Sequence, residues 1–192
     1  LGSLGAFLRL RSPVVDRRQL LDVGAAGPLA GFAVTLAVLA WGYAISVPVP
    51  PGFGYSHTFI EISHIPIGLG DSILTRAFRE YFFSGAGSVH LSLPAFAGWA
   101  GSLITGLNLL PLSQLDGGHI AYAVLGDRAK YLSIGTLGVV VALTIVSRSW
   151  AFNAVMLVLM SAIFGFRHPE TLDDQTPVGP GRVVVAILAA II

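Results

Sequence analysis

The chain has 192 residues, of which 54% are hydrophobic and 11% charged, with a formal net charge of +1. A soluble domain carries about 25% charged residues, so this composition, with a mean hydropathy of +0.78, excludes an ordinary water-soluble globule and describes a multi-pass membrane protein. No basic run interleaved with aromatics is present, which argues against a nucleic-acid partner, and the lack of cysteine leaves only His, Asp and Glu to hold a metal.

Leu8-Arg9-Leu10-Arg11 alternates apolar and basic residues, the period of a strand. Ser12-Pro13 turns, and Val14-Val15 resumes. Residues 1–22 therefore read as a small β-hairpin followed by the basic Asp16-Arg17-Arg18. Residues 23–45 form a first membrane helix. It opens Gly24-Ala-Ala-Gly27-Pro28-Leu-Ala-Gly31, with Gly27 and Gly31 in the G-x-x-x-G register that lets a neighbouring helix approach. Pro28 reads as lying near the helix start, where proline is tolerated.

Val47 to Leu69 is rich in Pro and Gly and reads as a surface loop or short strands. From Asp71 to Phe83, Arg76, Arg79 and Glu80 oppose Ile73, Leu74, Phe78 and Phe82, the pattern of a short interfacial helix. Residues 91–125 hold a second span, which should break at Pro111, and its continuation from Gly117 to Leu125. Residues 132–146 and 150–166 complete four full transmembrane helices. Residues 182–192 start a truncated fifth, about half the ~20 residues that a crossing needs. The fold expected is thus an all-α polytopic membrane protein with a small N-terminal hairpin and an interfacial helix, residues 1–192 making one membrane-embedded core. Leu1 at one end and the unfinished apolar run at the other read as the interior of a longer protein.

Basic residues orient the helices. Arg9, Arg11, Arg17, Arg18, Arg128, Lys130, Arg167 and Arg182 fall on one side, against Arg76, Arg79 and Arg148 on the other. The N-terminal side is expected to be cytoplasmic or its organellar equivalent.

The stretch Asn108-Leu-Leu-Pro111-Leu-Ser-Gln-Leu-Asp116-Gly117-Gly118-His119 carries the chemistry. An ionisable group at membrane depth is costly and marks a functional site by default. Unwound backbone there needs protein or a water-filled cavity to satisfy it, so a buried polar pocket is expected. Simpler roles remain open: Asp116 as a helix cap, Asn108 as an interhelical hydrogen bond, and His119 as a satisfied helix histidine. His57, His64, His90 and His168 lack metal-ligand spacing. Trp41, Trp99 and Trp150 read as packing or interfacial anchors.

The pattern N-x-x-P-x-x-x-x-D-G at the end of a span resembles the site-2 protease family of membrane-embedded zinc metallopeptidases. Further likenesses point to its bacterial and plastid branch: Pro94-Ala-Phe-Ala-Gly-Trp99, Arg11-Ser-Pro13 leading to Asp22-Val-Gly-Ala-Ala-Gly-Pro-Leu-Ala-Gly31, and Arg167-His-Pro-Glu-Thr-Leu-Asp. The resemblance implies Zn2+ as cofactor, with Asp116 as third ligand. It makes Asn108 a catalytic residue beside the metal, and Arg11, Ser12, Pro13, Gly27 and Pro28 substrate-binding residues. Pro111, Gly117, Gly118 and His119 would shape the site. Other members carry Asn at the position of Gly31. The family takes its first two ligands and catalytic glutamate from H-E-x-x-H, a motif absent here and expected before Leu1, so the fragment alone should be inactive. Zinc would lower the pKa of its bound water and polarise the scissile carbonyl.

The implied function is hydrolysis of peptide bonds in or near transmembrane segments of membrane-protein substrates, in a bacterial plasma membrane or a plastid membrane. The implied partners are those substrates and the lipid bilayer, with oligomeric state open. The alternatives are a transporter or channel with an ion site at the broken helix, and an inactive membrane scaffold on the protease fold.

Overall fold

A computed structural model describes residues 14–50, 57–62, 64–84, 88–112 and 115–192. The described residues are mostly helical, with a small four-stranded sheet. In order, the elements are α1 (Arg17–Ala44), β1 (Val47–Val49), β2 (His57–Ile62), β3 (Ile65–Leu69), α2 (Ile73–Phe83), β4 (Ser88–His90), α3 (Leu93–Asn108), α4 (Asp116–Leu125), α5 (Ala129–Val146), α6 (Ala151–Phe164) and α7 (Pro180–Ile191). The hairpin strand at Leu8–Arg11 and its turn lie outside the described residues. Two compact units divide the chain. One takes its part up to Ala30 and from Thr105 to Ile192; the other is Gly31–Ile104.

In the Gly31–Ile104 unit the stretch read as a surface loop or short strands supplies β1, β2 and β3, which join β4 in a sheet of order β1-β4-β2-β3. β2 and β3 are antiparallel, with Ile62 opposite Ile65, and β4 runs parallel to β2. Leu39, Tyr43, Val89, Leu91 and Ala95 form a buried cluster, against which Leu74, Phe78, Phe82 and Trp99 pack. The aromatic face of α2, expected at the membrane interface, thus meets protein: the Tyr43 and Phe78 rings are 5.8 Å apart. Ser72 and Thr75 cap α2 reciprocally. Asp71 accepts from Thr58 Oγ1 at 2.6 Å and from Arg79 at 2.8 Å, tying the helix to β2. Glycines let α1 and α3 touch. A Cβ on Gly42 would lie 2.2 Å from the Ala95 nitrogen, and one on Gly98 2.7 Å from Leu39 Cγ.

In the other unit, α1 starts at Arg17 because Asp16 caps it, Oδ1 accepting from the Gln19 N–H at 2.8 Å. The helix therefore begins earlier than its apolar run, and Pro28 sits in its interior rather than near its start. Leu20, Leu21 and Ala25 of α1 pack with Ile120 to Ala123 of α4 and with Ala186 and Ala189 of α7. A 3-10 turn, Gly126–Arg128, joins α4 to α5.

Among the described residues, two helical stretches are long and apolar enough to cross a membrane, Arg17–Ala44 and Asp116–Val146; α6 and α7 are apolar but shorter. The expectation of four complete spans is reduced accordingly. The 16 residues of α3 rise only ~24 Å at 1.5 Å each, because Pro111 prevents the helix from continuing. Gly165, with φ +75, closes α6 after Phe164.

Candidate active site

The break after α3 is held by its own backbone. The Leu109 N–H bonds to the Thr105 carbonyl at 3.0 Å, Leu112 to Leu110 at 2.7 Å and Leu115 to Leu112 at 2.8 Å. Leu112 is buried with Val140, Ala154 and Leu157, and Leu110 and Leu115 pack on that cluster. The described residues of this segment are thus bonded to one another and anchored in apolar surroundings. The return into α4 demands glycine at position 117, where a Cβ would lie 2.0 Å from the Leu109 carbonyl oxygen and 2.6 Å from that of Leu110. Gly117 and Gly118 are both buried.

Asp116 is the first residue of α4; the N-cap is Leu115, which supplies no side-chain cap. The carboxylate therefore does not serve as a cap. It sits half-buried at the positive end of the helix dipole. It makes no hydrogen bond or ion pair among the described residues. Antiparallel to α4 runs the start of α1. A Cβ on Gly24 would lie 2.9 Å from His119 Cβ and 3.1 Å from the Asp116 carbonyl oxygen, whereas one on Gly27 would lie 3.9 Å from Asp116 Oδ2. Gly24 thus permits helix contact, and Gly27 leaves space beside the carboxylate. Pro28, which has no N–H, denies the Gly24 carbonyl its usual helical donor.

Asn108 ends α3, half-buried, with no side-chain partner among the described residues. Arg11, Ser12 and Pro13 lie outside the described residues. The structure also joins His119 to residues that sequence spacing left isolated. His119 Nδ1 lies 2.6 Å from His168 Nε2, and His168 Nδ1 lies 2.6 Å from the Pro169 carbonyl oxygen. The Tyr122 ring stacks on His168, and its hydroxyl donates to Asp174 at 2.7 Å. Asp174 also accepts from Thr171 at 2.5 Å and meets Arg17 at 3.4 Å. Burial raises the Asp174 pKa, but the Thr171 and Tyr122 hydrogen bonds and the Arg17 charge outweigh it and hold the carboxyl below the ordinary value. Burial holds the His168 imidazole below its ordinary value, against the Pro169 hydrogen bond and the Asp174 charge. The Arg167-His-Pro motif was the one local signal that this loop mattered; its partners lie too far along the sequence for any spacing rule to find.

The profile of Peptidase family M50 matches residues 1–147. The chain belongs to peptidase family M50. Within M50, it is 34% identical over 191 residues to the "Probable zinc metalloprotease EGY2, chloroplastic" of Arabidopsis thaliana, an alignment covering 96% of this chain and 33% of that protein. It is 28% identical over 194 residues to the EGY1 counterpart from the same plant, covering 100% of this chain and 34% of that protein. The rice (Oryza sativa subsp. indica) EGY2 counterpart is 35% identical over 145 residues, covering 72% of this chain and 25% of that protein. The chain spans about a third of the length of the Arabidopsis relatives. No solved structure matches.

These relatives are named as zinc metalloproteases. The residues present do not by themselves fit the ion. Among the described residues no group of three or more His, Asp or Glu side chains is placed to hold a metal. A catalytic zinc site needs three protein ligands, more than Asp116 alone could offer.

Proposed function

We propose that the whole protein is an intramembrane zinc protease that hydrolyses peptide bonds in or near transmembrane segments of other membrane proteins. Asp116 is one ligand of the metal. The remaining ligands and the catalytic glutamate come from an H-E-x-x-H motif elsewhere in the whole protein. Asn108 holds the substrate or the developing oxyanion, and Gly27 and Pro28 of α1 border the substrate path. In this reading α1, α3 with its extension through Pro111, α4 with α5, and α6 make four crossings, and α7 begins a fifth. The membrane is that of a plastid, as the names of the M50 relatives indicate, or of a bacterium.

One observation carries the proposal. Asp116 follows a deliberate break in an apolar chain, caps nothing, has no polar partner among the described residues and faces the side-chain-free position of Gly27. A carboxylate in such a place is expensive without a use.

The test is Asp116→Ala in the full-length protein, reconstituted in lipid with a single-span reporter as substrate. Cleavage should vanish and bound zinc should fall, while membrane insertion persists. Wild-type zinc content and cleavage in that variant would remove Asp116 from the metal site.

A further inference from the structure

The His119 and His168 rings meet edge to face, with centroids 4.8 Å apart. A neutral imidazole has one N–H and one lone pair, so one ring of a bonded pair donates and the other accepts. The next contact in the chain decides which. His168 Nδ1 lies 2.6 Å from the Pro169 carbonyl oxygen, and a carbonyl oxygen only accepts. His168 therefore carries its proton on Nδ1 and presents a lone pair at Nε2. His119 must donate to that lone pair from Nδ1, at 2.6 Å, which leaves its own Nε2 bare.

His168 is held where it is independently of His119. The Tyr122 ring covers it at 4.7 Å between centroids, 24° from parallel. Asp174, bonded to Tyr122 and Thr171, fixes the loop. The Asp173 N–H bonds to the Val15 carbonyl at 2.7 Å and stitches the same loop to the start of α1. Burial favours the neutral form of His168, the form that the proton order requires.

We propose that His168 is a positioning residue for His119: it locks the ring in the Nδ1–H tautomer, so that α4 presents a bare Nε2 acceptor one turn beyond the Asp116 carboxylate. Both residues lie along the glycines of α1, His119 against Gly24 and Asp116 against Gly27. The bare nitrogen takes a hydrogen-bond donor. Resting on the protease reading above, that donor is a backbone N–H of an unwound substrate segment. Which nitrogen of an imidazole is protonated is set by the bond that the other nitrogen makes, so removing His168 frees the tautomer.

The experiment uses the full-length protein in lipid nanodiscs with 15N-labelled histidine, comparing wild type, His168→Ala and His168→Gln. Glutamine keeps an acceptor oxygen for the His119 N–H. Wild type should show His119 with a protonated Nδ1 and a bare Nε2. His168→Ala should lose that signature, and cleavage of a single-span reporter should fall about tenfold through KM, the worth of a single hydrogen bond. His168→Gln should restore both. An Nε2-protonated His119 in wild type, an unchanged tautomer in His168→Ala, or a switched tautomer with unchanged cleavage would each overturn the proposal. If the alanine variant does not fold, the wild-type spectrum and the glutamine variant still decide. A protein that cleaves nothing yet switches tautomer refutes the protease reading and supports the assignment of His168.

Discussion

Gly117 lies so close to Leu109 that a Cβ added to it would sit 2.0 Å from the Leu109 carbonyl oxygen. Neither backbone can yield without moving the first turn of α4, and with it Asp116. Gly117→Ala is therefore expected to cost at least about 1–3 kcal/mol, the usual range for overpacking, and to abolish cleavage by the full-length protein. Gly27→Ala is the control. Its methyl would make ordinary contact at 3.9 Å with Asp116 Oδ2, so thermal unfolding in detergent should change little. Equal losses in the two variants would contradict the geometry.

Asn108 stands at the last turn of α3 with its amide unpartnered among the described residues. Asn108→Ala should thus lower turnover of the full-length protein while leaving its melting temperature and zinc content near wild type. A fall in stability with unchanged turnover would return Asn108 to a packing role.

The Arg79–Asp71 pair is 2.8 Å long with side chains 15% and 12% exposed. Removing one member of this part-buried, hydrogen-bonded pair leaves the other short of a partner and costs about 1–3 kcal/mol. Arg79→Met should destabilise the Gly31–Ile104 unit on that scale, and adding Asp71→Asn should recover part of the loss. A double-mutant cycle on chemical unfolding measures both. By contrast, the Arg182–Asp22 pair, also 2.8 Å but 41% and 51% exposed, should contribute far less, because solvent screens it.

The loop from His168 to Asp174 should loosen in acid in two stages. His168, facing His119, Tyr122 and Asp174, has a folded-state pKa below the ordinary 6.5. The unfolded chain therefore binds the proton more readily. The stability this group contributes is complete above pH 6.5 and is lost as pH falls through its folded value. Asp174, facing Tyr122, Thr171 and Arg17, has a folded-state pKa below 3.8. Its contribution is complete above pH 3.8 and is lost as pH falls through its lower folded value. Hydrogen exchange of the loop against pH should show both stages, and His168→Gln should weaken the first while leaving the second.

Much of the fold was legible wherever a local rule governed it. The break after Asn108 follows from Pro111, and the amphipathic helix at Ile73–Phe83 from its charge spacing. α1 begins ahead of its apolar run because Asp16 caps it, which puts Pro28 inside the helix rather than near its start. Short strands are one of two readings for Val47–Leu69, but the sheet they build is not legible because β2 pairs with β4 across the whole of α2, a pairing with no local signature. At the site, Asp116 and its glycines announced themselves through the cost of a carboxylate in an apolar chain. His168, Tyr122 and Asp174 did not. Their roles depend on contacts between α4 and a loop some fifty residues later.

Protein engineers seeking a place to splice a reporter or a protease cleavage sequence would choose the polar, proline-bearing stretch between Phe166 and Gly179, which looks like dispensable string. Yet its backbone is bonded to Val14 and Val15, and its carbonyl at Pro177 receives Arg18 at 2.9 Å. An insertion there would pull α4 and the base of α1 apart at one stroke, so tags belong elsewhere.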